Sequence, residues 1–187
     1  EGPGGGAMTI EQTRALVAVD IDTDTAPHKG HVSIAAAKEV ARQLRLRGLG
    51  GLVVVDFPNL RKRSDQVRTH DALVVAIGHD PGKVKVGPYS QFGTIELIRQ
   101  KRGPSLMDQM LESSGKFTSE TTALESLNQL VKEGLMNAGA QLTLTVPHGA
   151  YHWLEKTNLN WRKQVEAKIG ARFTITPGSV HSVSADR

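Results

Sequence analysis

The chain has 187 residues, 39% of them hydrophobic and 22% charged, an ordinary globular composition that excludes wholesale disorder and can bury a real core. It has no cysteine, which excludes disulfides, cysteine-ligated zinc and thiol nucleophiles and fits a reducing compartment. Lys and Arg number 23 against 19 Asp and Glu, an excess that permits a polyanionic partner without demanding one. No stretch is long and apolar enough to cross a bilayer, and no signal-peptide pattern opens the chain. The first methionine is Met8, behind a glycine-rich start, so the expectation is a piece of something longer.

Residues 7–11 and 14–22 read as a β-hairpin. Period 2 along the second strand puts Leu16, Ala18, Asp20 and Asp22 on one face and Val17, Val19 and Ile21 on the other. A turn-rich loop at 24–30 precedes a predicted helix at 33–47, with Ser33 as N-cap and Gly48 as terminator. Its inward stripe is Ile34, Ala37, Ala41 and Leu44. The apolar run at 52–57 predicts a strand covered on both faces. Strand, helix, strand predicts a right-handed parallel crossover that brings Asp20 and Asp56 to the C-terminal edge of the sheet, where ligands usually bind. A helix at 64–77 and strands at 83–87 and 94–98 complete the first block.

Residues 107–117 are polar and without period, as expected of a linker. The second block reads as a helix at 119–137, a strand at 141–146, helical segments over 147–169, and strands at 172–176 and 180–184. Leu124, Leu127, Val131 and Leu135 are the predicted buried stripe of the first helix, and Pro147 suits a helix start.

Asp20, Asp22 and Asp56 are the sharpest constellation. Carboxylates that converge at a sheet edge repel one another and call for a cation. Hard oxygen donors suit Mg²⁺ or Mn²⁺. The plainer alternative has Asp22 and Asp24 starting a loop and Asp56 capping the turn at Pro58 and Asn59. Lys38, Arg42, Arg45 and Arg47, with Arg61, Lys62 and Arg63, could bracket a nucleic acid backbone; a solvated helix face is the simpler reading of the helical ones. His148 and His152 stand at i, i+4 without a third ligand, and Trp153 with Trp161 reads as core.

The run 41–57, Ala-Arg-Gln-Leu-Arg-Leu-Arg-Gly-Leu-Gly-Gly-Leu-Val-Val-Val-Asp-Phe, resembles the ribonuclease E/G family of bacterial endoribonucleases. So does 13–22, Thr-Arg-Ala-Leu-Val-Ala-Val-Asp-Ile-Asp, at the right distance upstream. The segment 91–102, Gln-Phe-Gly-Thr-Ile-Glu-Leu-Ile-Arg-Gln-Lys-Arg, resembles the one closing the family's catalytic subdomain. Asp71, Ala72 and Leu73 fall where the family has a basic-acidic helix.

The resemblance implies an α/β fold: a mixed-sheet DNase I-like catalytic subdomain at 1–106, a linker at 107–117 lacking the family's zinc-binding Cys pair, and a small C-terminal α/β domain at 118–187. It implies Asp20 and Asp56 as Mg²⁺ ligands (Mn²⁺ being an alternative ion) and Asp22, where the family commonly has Asn, as the residue orienting water or phosphate. From the basic clusters, Arg42, Arg45 and Arg47 are expected to contact RNA or the family's further domains, and Lys62 to contact RNA. The implied reaction is hydrolysis of single-stranded RNA to 5′-phosphate and 3′-hydroxyl ends, in RNA processing and decay in the bacterial cytoplasm. Gln91 stands where the family usually has Arg, and the 24–31 loop and following helix look short. The family's N-terminal S1, sensor and RNase H-like parts are absent, so weak activity is expected of the piece alone. The alternative is a catalytically degenerate RNA-binding or self-associating module.

Overall fold

The computed structural model describes residues 6–23, 29–179 and 181–186. Most of the turn-rich loop predicted at 24–30, including Asp24 and His28, lies outside the described residues, as does Val180 at the start of the last predicted strand. The chain divides into two compact units, Glu1–Met107 and Asp108–Arg187.

In the first unit, β1 (Ala7–Gln12) and β2 (Val17–Asp22) form the expected antiparallel hairpin. The Thr13 hydroxyl closes its turn by donating to the Leu16 carbonyl at 2.8 Å. Helix α1 (Lys29–Leu46) then leads to β3 (Gly51–Asp56), which pairs parallel to β2 as the crossover requires. Helix α2 (Arg63–Ile77) is followed by the hairpin of β4 (Val84–Tyr89) and β5 (Thr94–Arg99). The sheet order is β1-β2-β3-β5-β4, and every pairing other than β2–β3 is antiparallel.

Three expectations change here. Ser33 is not the N-cap of α1: it is buried inside the helix, where its hydroxyl donates to the Lys29 carbonyl at 2.9 Å, the back-bond that lets a polar residue sit mid-helix. The C-terminus is as expected. Gly48 adopts a left-handed φ of 63° and the Leu49 amide donates back to Leu44, the Schellman closure.

Strand β3 is also not covered on both faces. Val53 and Val55 are fully buried, whereas Leu52 is 40% exposed and Val54 half-buried. α1 and α2 contribute to a single core with Val17, Val19, Ile95 and Leu97, so both helices cover the same side of the sheet. Ile34 is only half-buried; the stripe that seats α1 runs through Ala37, Val40, Ala41 and Leu44.

The second unit begins within a short helix, α3 (Leu106–Met110), and a turn bridged by Leu111 and Phe117. Helix α4 (Ser119–Met136) follows, capped by the Thr118 hydroxyl, which accepts from the Thr121 amide at 3.2 Å. Next come β6 (Gln141–Pro147), α5 (His148–Lys156), α6 (Trp161–Ile169), β7 (Phe173–Gly178) and β8 (Ser182–Asp186). Its sheet has the order β7-β6-β8, parallel to β7 and antiparallel to β8.

The buried stripe of α4 is rotated from the expected one. Ala123, Ser126, Leu127, Leu130 and Gly134 are buried, while Leu124 and Leu135 are 37% and 65% exposed. Small residues win because α4 sits close to its neighbours: a Cβ on Gly134 would lie 2.7 Å from Ile169 Cγ2. Trp161 is buried, with its indole N–H donating to the Leu154 carbonyl at 3.0 Å; Trp153 packs against the same core. Among the described residues, no helix is long and apolar enough to cross a membrane.

Candidate active site at the carboxyl ends of β2 and β3

The parallel pairing of β2 and β3 sets Asp20 directly beside Asp56, on strands about 4.8 Å apart. The antiparallel pairing of β5 adds Thr94 on the far side of Asp56, so the three form one row across the sheet. Alternation keeps them on the face that the helices leave open, and both aspartates are exposed. Asp22 lies two residues on, on the same face and also exposed. The parallel register therefore brings Asp20 and Asp56 side by side, while Asp22 stands further along β2 on the same face. Among the described residues, neither Asp20 nor Asp56 is engaged by a basic side chain. Nor do three His, Asp or Glu residues gather there into a set that could by itself hold an ion.

The turn between β4 and β5 overhangs this row. Ser90 organises it. Its amide donates to the Thr94 carbonyl at 2.8 Å, and its hydroxyl accepts from the Phe92 and Thr94 amides, both at 3.2 Å. Gly93 takes a φ of 90°, and its carbonyl accepts the Phe57 amide at 3.2 Å, tying the turn to the end of β3. A cavity of about 550 Å³ opens there, lined by Asp56, Asn59, Arg63, Tyr89, Gln91 and Phe92 among others. The Tyr89 hydroxyl is buried without a hydrogen-bond partner. Burial, with a smaller contribution from the Asp56 charge, pushes that phenol above its usual pKa.

A second cavity of about 680 Å³ shares Asn59 and Leu60 with the first. Its wall carries Lys29, Arg61, Lys62 and Arg68, with Asp65 as its acid. Lys62 thus stands on a basic surface that adjoins the Asp56 cavity. Arg42, Arg45 and Arg47 do not join them. They lie near the C-terminal end of α1, which in a parallel crossover is the end remote from the C-termini of β2 and β3. Each has an internal partner: Arg42 forks onto Glu39 at 2.6 and 2.7 Å, Arg45 donates to the Ala76 carbonyl, and Arg47 to the Gln43 side chain. His148 and His152 are exposed on α5 of the other unit. Tyr89 and Phe92 had no signal as site residues in the sequence, because only hairpin pairing carries residues some 35 positions downstream to the end of β3.

Fold and site together define an α/β protein with paired carboxylates at parallel strand ends and a cationic surface alongside. The Ribonuclease E/G family model matches residues 2–102. The chain is 33% identical to Ribonuclease E of Haemophilus influenzae over 92% of its own length and 20% of that protein's. It is 33% identical to Ribonuclease E of Escherichia coli over 94% of its length and 18% of that protein's. A Ribonuclease E/G-like chloroplastic protein of Arabidopsis thaliana is 30% identical over 74% of the chain and 15% of that protein. The chain belongs to the ribonuclease E/G family and spans about a fifth of the length of the relatives it matches.

Proposed function

We propose that the chain is the catalytic core of a metal-dependent endoribonuclease that hydrolyses single-stranded RNA, with residues 1–106 as the DNase I-like subdomain, 107–117 as linker and 118–187 as the small C-terminal domain. The observation that carries this reading is the register: Asp20 and Asp56 side by side at adjacent strand ends, exposed and without a cationic partner among the described residues. Two carboxylates are the donor set expected for Mg²⁺ or Mn²⁺, ions that keep several waters and are held by one or two acids rather than by a closed cage. When bound, such an ion supplies charge neutralisation and water activation at a phosphate.

In this reading Asp20 and Asp56 hold the cation, and Asp22 accepts a proton-bearing edge of the attacking water and so orients it. Lys62, on the basic cavity wall, draws the phosphate backbone towards the carboxylates. Water adds to phosphorus, the bond to the 3′ oxygen breaks, and that oxygen takes up a proton. A 5′-phosphate and a 3′-hydroxyl result. Arg42, Arg45 and Arg47 are assigned to distal contacts, with RNA or with further parts of a longer enzyme.

The test is a titration of Mg²⁺ and Mn²⁺ into the wild-type chain and the Asp20→Asn/Asp56→Asn variant while thermal stability is followed. Stabilisation of the wild type alone is expected, and equal stabilisation of both rules the metal site out. Slow cleavage of a single-stranded oligonucleotide is expected of the wild type; a rate equal to that of a full-length relative refutes the claim that the piece is weak alone. Asp at 22 and Gln at 91 favour one rival, a degenerate RNA-binding or self-associating module. A retained metal response without any cleavage in the full-length parent selects it.

A further inference from the structure

We infer that the cavity beside Asp56 is a nucleobase pocket in which Phe92 is the stacking platform. The inference rests on the nuclease reading, which brings a single strand to Asp56; it adds which part of that strand the chain reads. Phe92 is 81% exposed, more than any other large hydrophobic among the described residues. The backbone that carries it is held in place. Its own amide donates to the Ser90 hydroxyl, and the turn is bonded to β5 and to Phe57. An aromatic ring presented this way meets a planar ligand at little entropic cost.

The cavity behind the ring, about 550 Å³, is of the size that takes small organic groups. Its polar equipment matches a base edge. The Asn59 and Gln91 amides each offer a donor and an acceptor. The Tyr89 hydroxyl is buried and unpartnered, a rare state that a ligand donor or acceptor would relieve. Arg63 on the rim suits a neighbouring phosphate. The pocket also lies against Asp56: a Cβ on Gly93 would be 3.9 Å from Asp56 Oδ1 and 4.0 Å from the Tyr89 hydroxyl. A base seated there belongs to a nucleotide next to the phosphate that Asp20 and Asp56 face. The pocket therefore sets the cleavage context as well as affinity.

The experiment measures binding of a fluorescently labelled eight-nucleotide single-stranded RNA to the 187-residue chain by anisotropy, without divalent cation so that no cleavage intervenes. Phe92→Ala is expected to weaken binding about tenfold, the usual strength of one base–aromatic stack, while Phe92→Trp retains it. An abasic oligomer of equal length should bind the wild type as weakly as RNA binds Phe92→Ala, and Phe92→Ala should not distinguish the two. Because the side chain is so exposed, melting temperatures should not change. Equal RNA binding by wild type and Phe92→Ala, equal loss with the abasic oligomer, or no RNA binding by the wild type overturns the pocket. Mg²⁺-dependent cleavage by wild type and Asp20→Asn, run in parallel, separates this from the underlying reading. Base-dependent binding without metal-dependent cleavage keeps the pocket and sinks the nuclease. Cleavage lost in Asp20→Asn, with Phe92→Ala binding unchanged, does the reverse.

Discussion

Replacing Asp80 by Ala should destabilise the first unit by about 3–5 kcal/mol, because it strands a buried guanidinium. Arg99 occupies a position of β5 where alternation points into the helix-covered core, and its side chain is 6% exposed; that of Asp80 is 1% exposed. The guanidinium donates to Asp80 through Nε at 2.9 Å and Nη2 at 3.1 Å, and to the Leu49 carbonyl through Nη1 at 2.7 Å. One side chain thereby ties β5 to the α2–β4 connection and to the turn before β3. Without Asp80 the charge keeps only the Leu49 carbonyl, and the Gly82 amide also loses its 2.7 Å acceptor. The double variant Asp80→Ala/Arg99→Met removes the stranded charge and should recover most of the loss, leaving about 1–2 kcal/mol for the orphaned amide and the imperfect fit. Urea denaturation followed by far-UV circular dichroism, with amide exchange over β3 and β5, is the assay. Intrinsic fluorescence would miss the event, since Trp153 and Trp161 both lie in the second unit. A single variant within about 1 kcal/mol of wild type, or a double variant no better than the single, refutes the reasoning.

The same pair predicts a pH dependence. Burial opposes ionisation of Asp80, but hydrogen bonds from Arg99 and Gly82 outweigh it and hold the carboxyl below its usual pKa. The resulting stability is present above the unfolded value of about 3.9 and is lost as pH falls through the lower folded value. Wild type should therefore lose more stability than Asp80→Asn on acidification below pH 4, as read by urea midpoints. Gly134→Ala should destabilise the second unit by about 1–2 kcal/mol in fluorescence-monitored melting. The 2.7 Å approach to Ile169 outweighs the gain in helix propensity, and adding Ile169→Ala should not cost a further full cavity. Thr118→Ala should cost about 1 kcal/mol through loss of the α4 cap, on the same readout. Tyr89→Phe deletes a buried, unsatisfied hydroxyl and should leave melting unchanged or raised while weakening oligonucleotide binding; a clear drop in stability would mean that the hydroxyl has a partner.

Much of the site was legible from local pattern. Alternation in residues 17–22 is enough to put Val17, Val19 and Ile21 inside and Asp20 and Asp22 outside, because side chains on a strand alternate faces whatever lies beside it. Residues 52–55 show the limit of that reasoning. An unbroken apolar run carries no face label, so Leu52 and Val53 look alike until the helices are seen to lie on one side only. The stripe on α4 failed for a related reason. Hydrophobicity favoured Leu124 and Leu135, but steric closeness favoured Ala123 and Gly134, and closeness belongs to the neighbouring helix.

By itself the sequence determined the order of elements, the crossover from β2 to β3, and the acids at its open edge, since each follows from periodicity within a few residues. Tertiary structure alone decided which basic residues stand near those acids. Arg42 and Lys62 look equivalent along the chain, yet α1 runs back against its strands and carries Arg42 away, while the connection after β3 leaves Lys62 beside the cavity. It also decided that Phe92 and Tyr89 meet Asp56. That meeting depends on the pairing of β5 with β3, a contact across some 40 residues that no local pattern encodes.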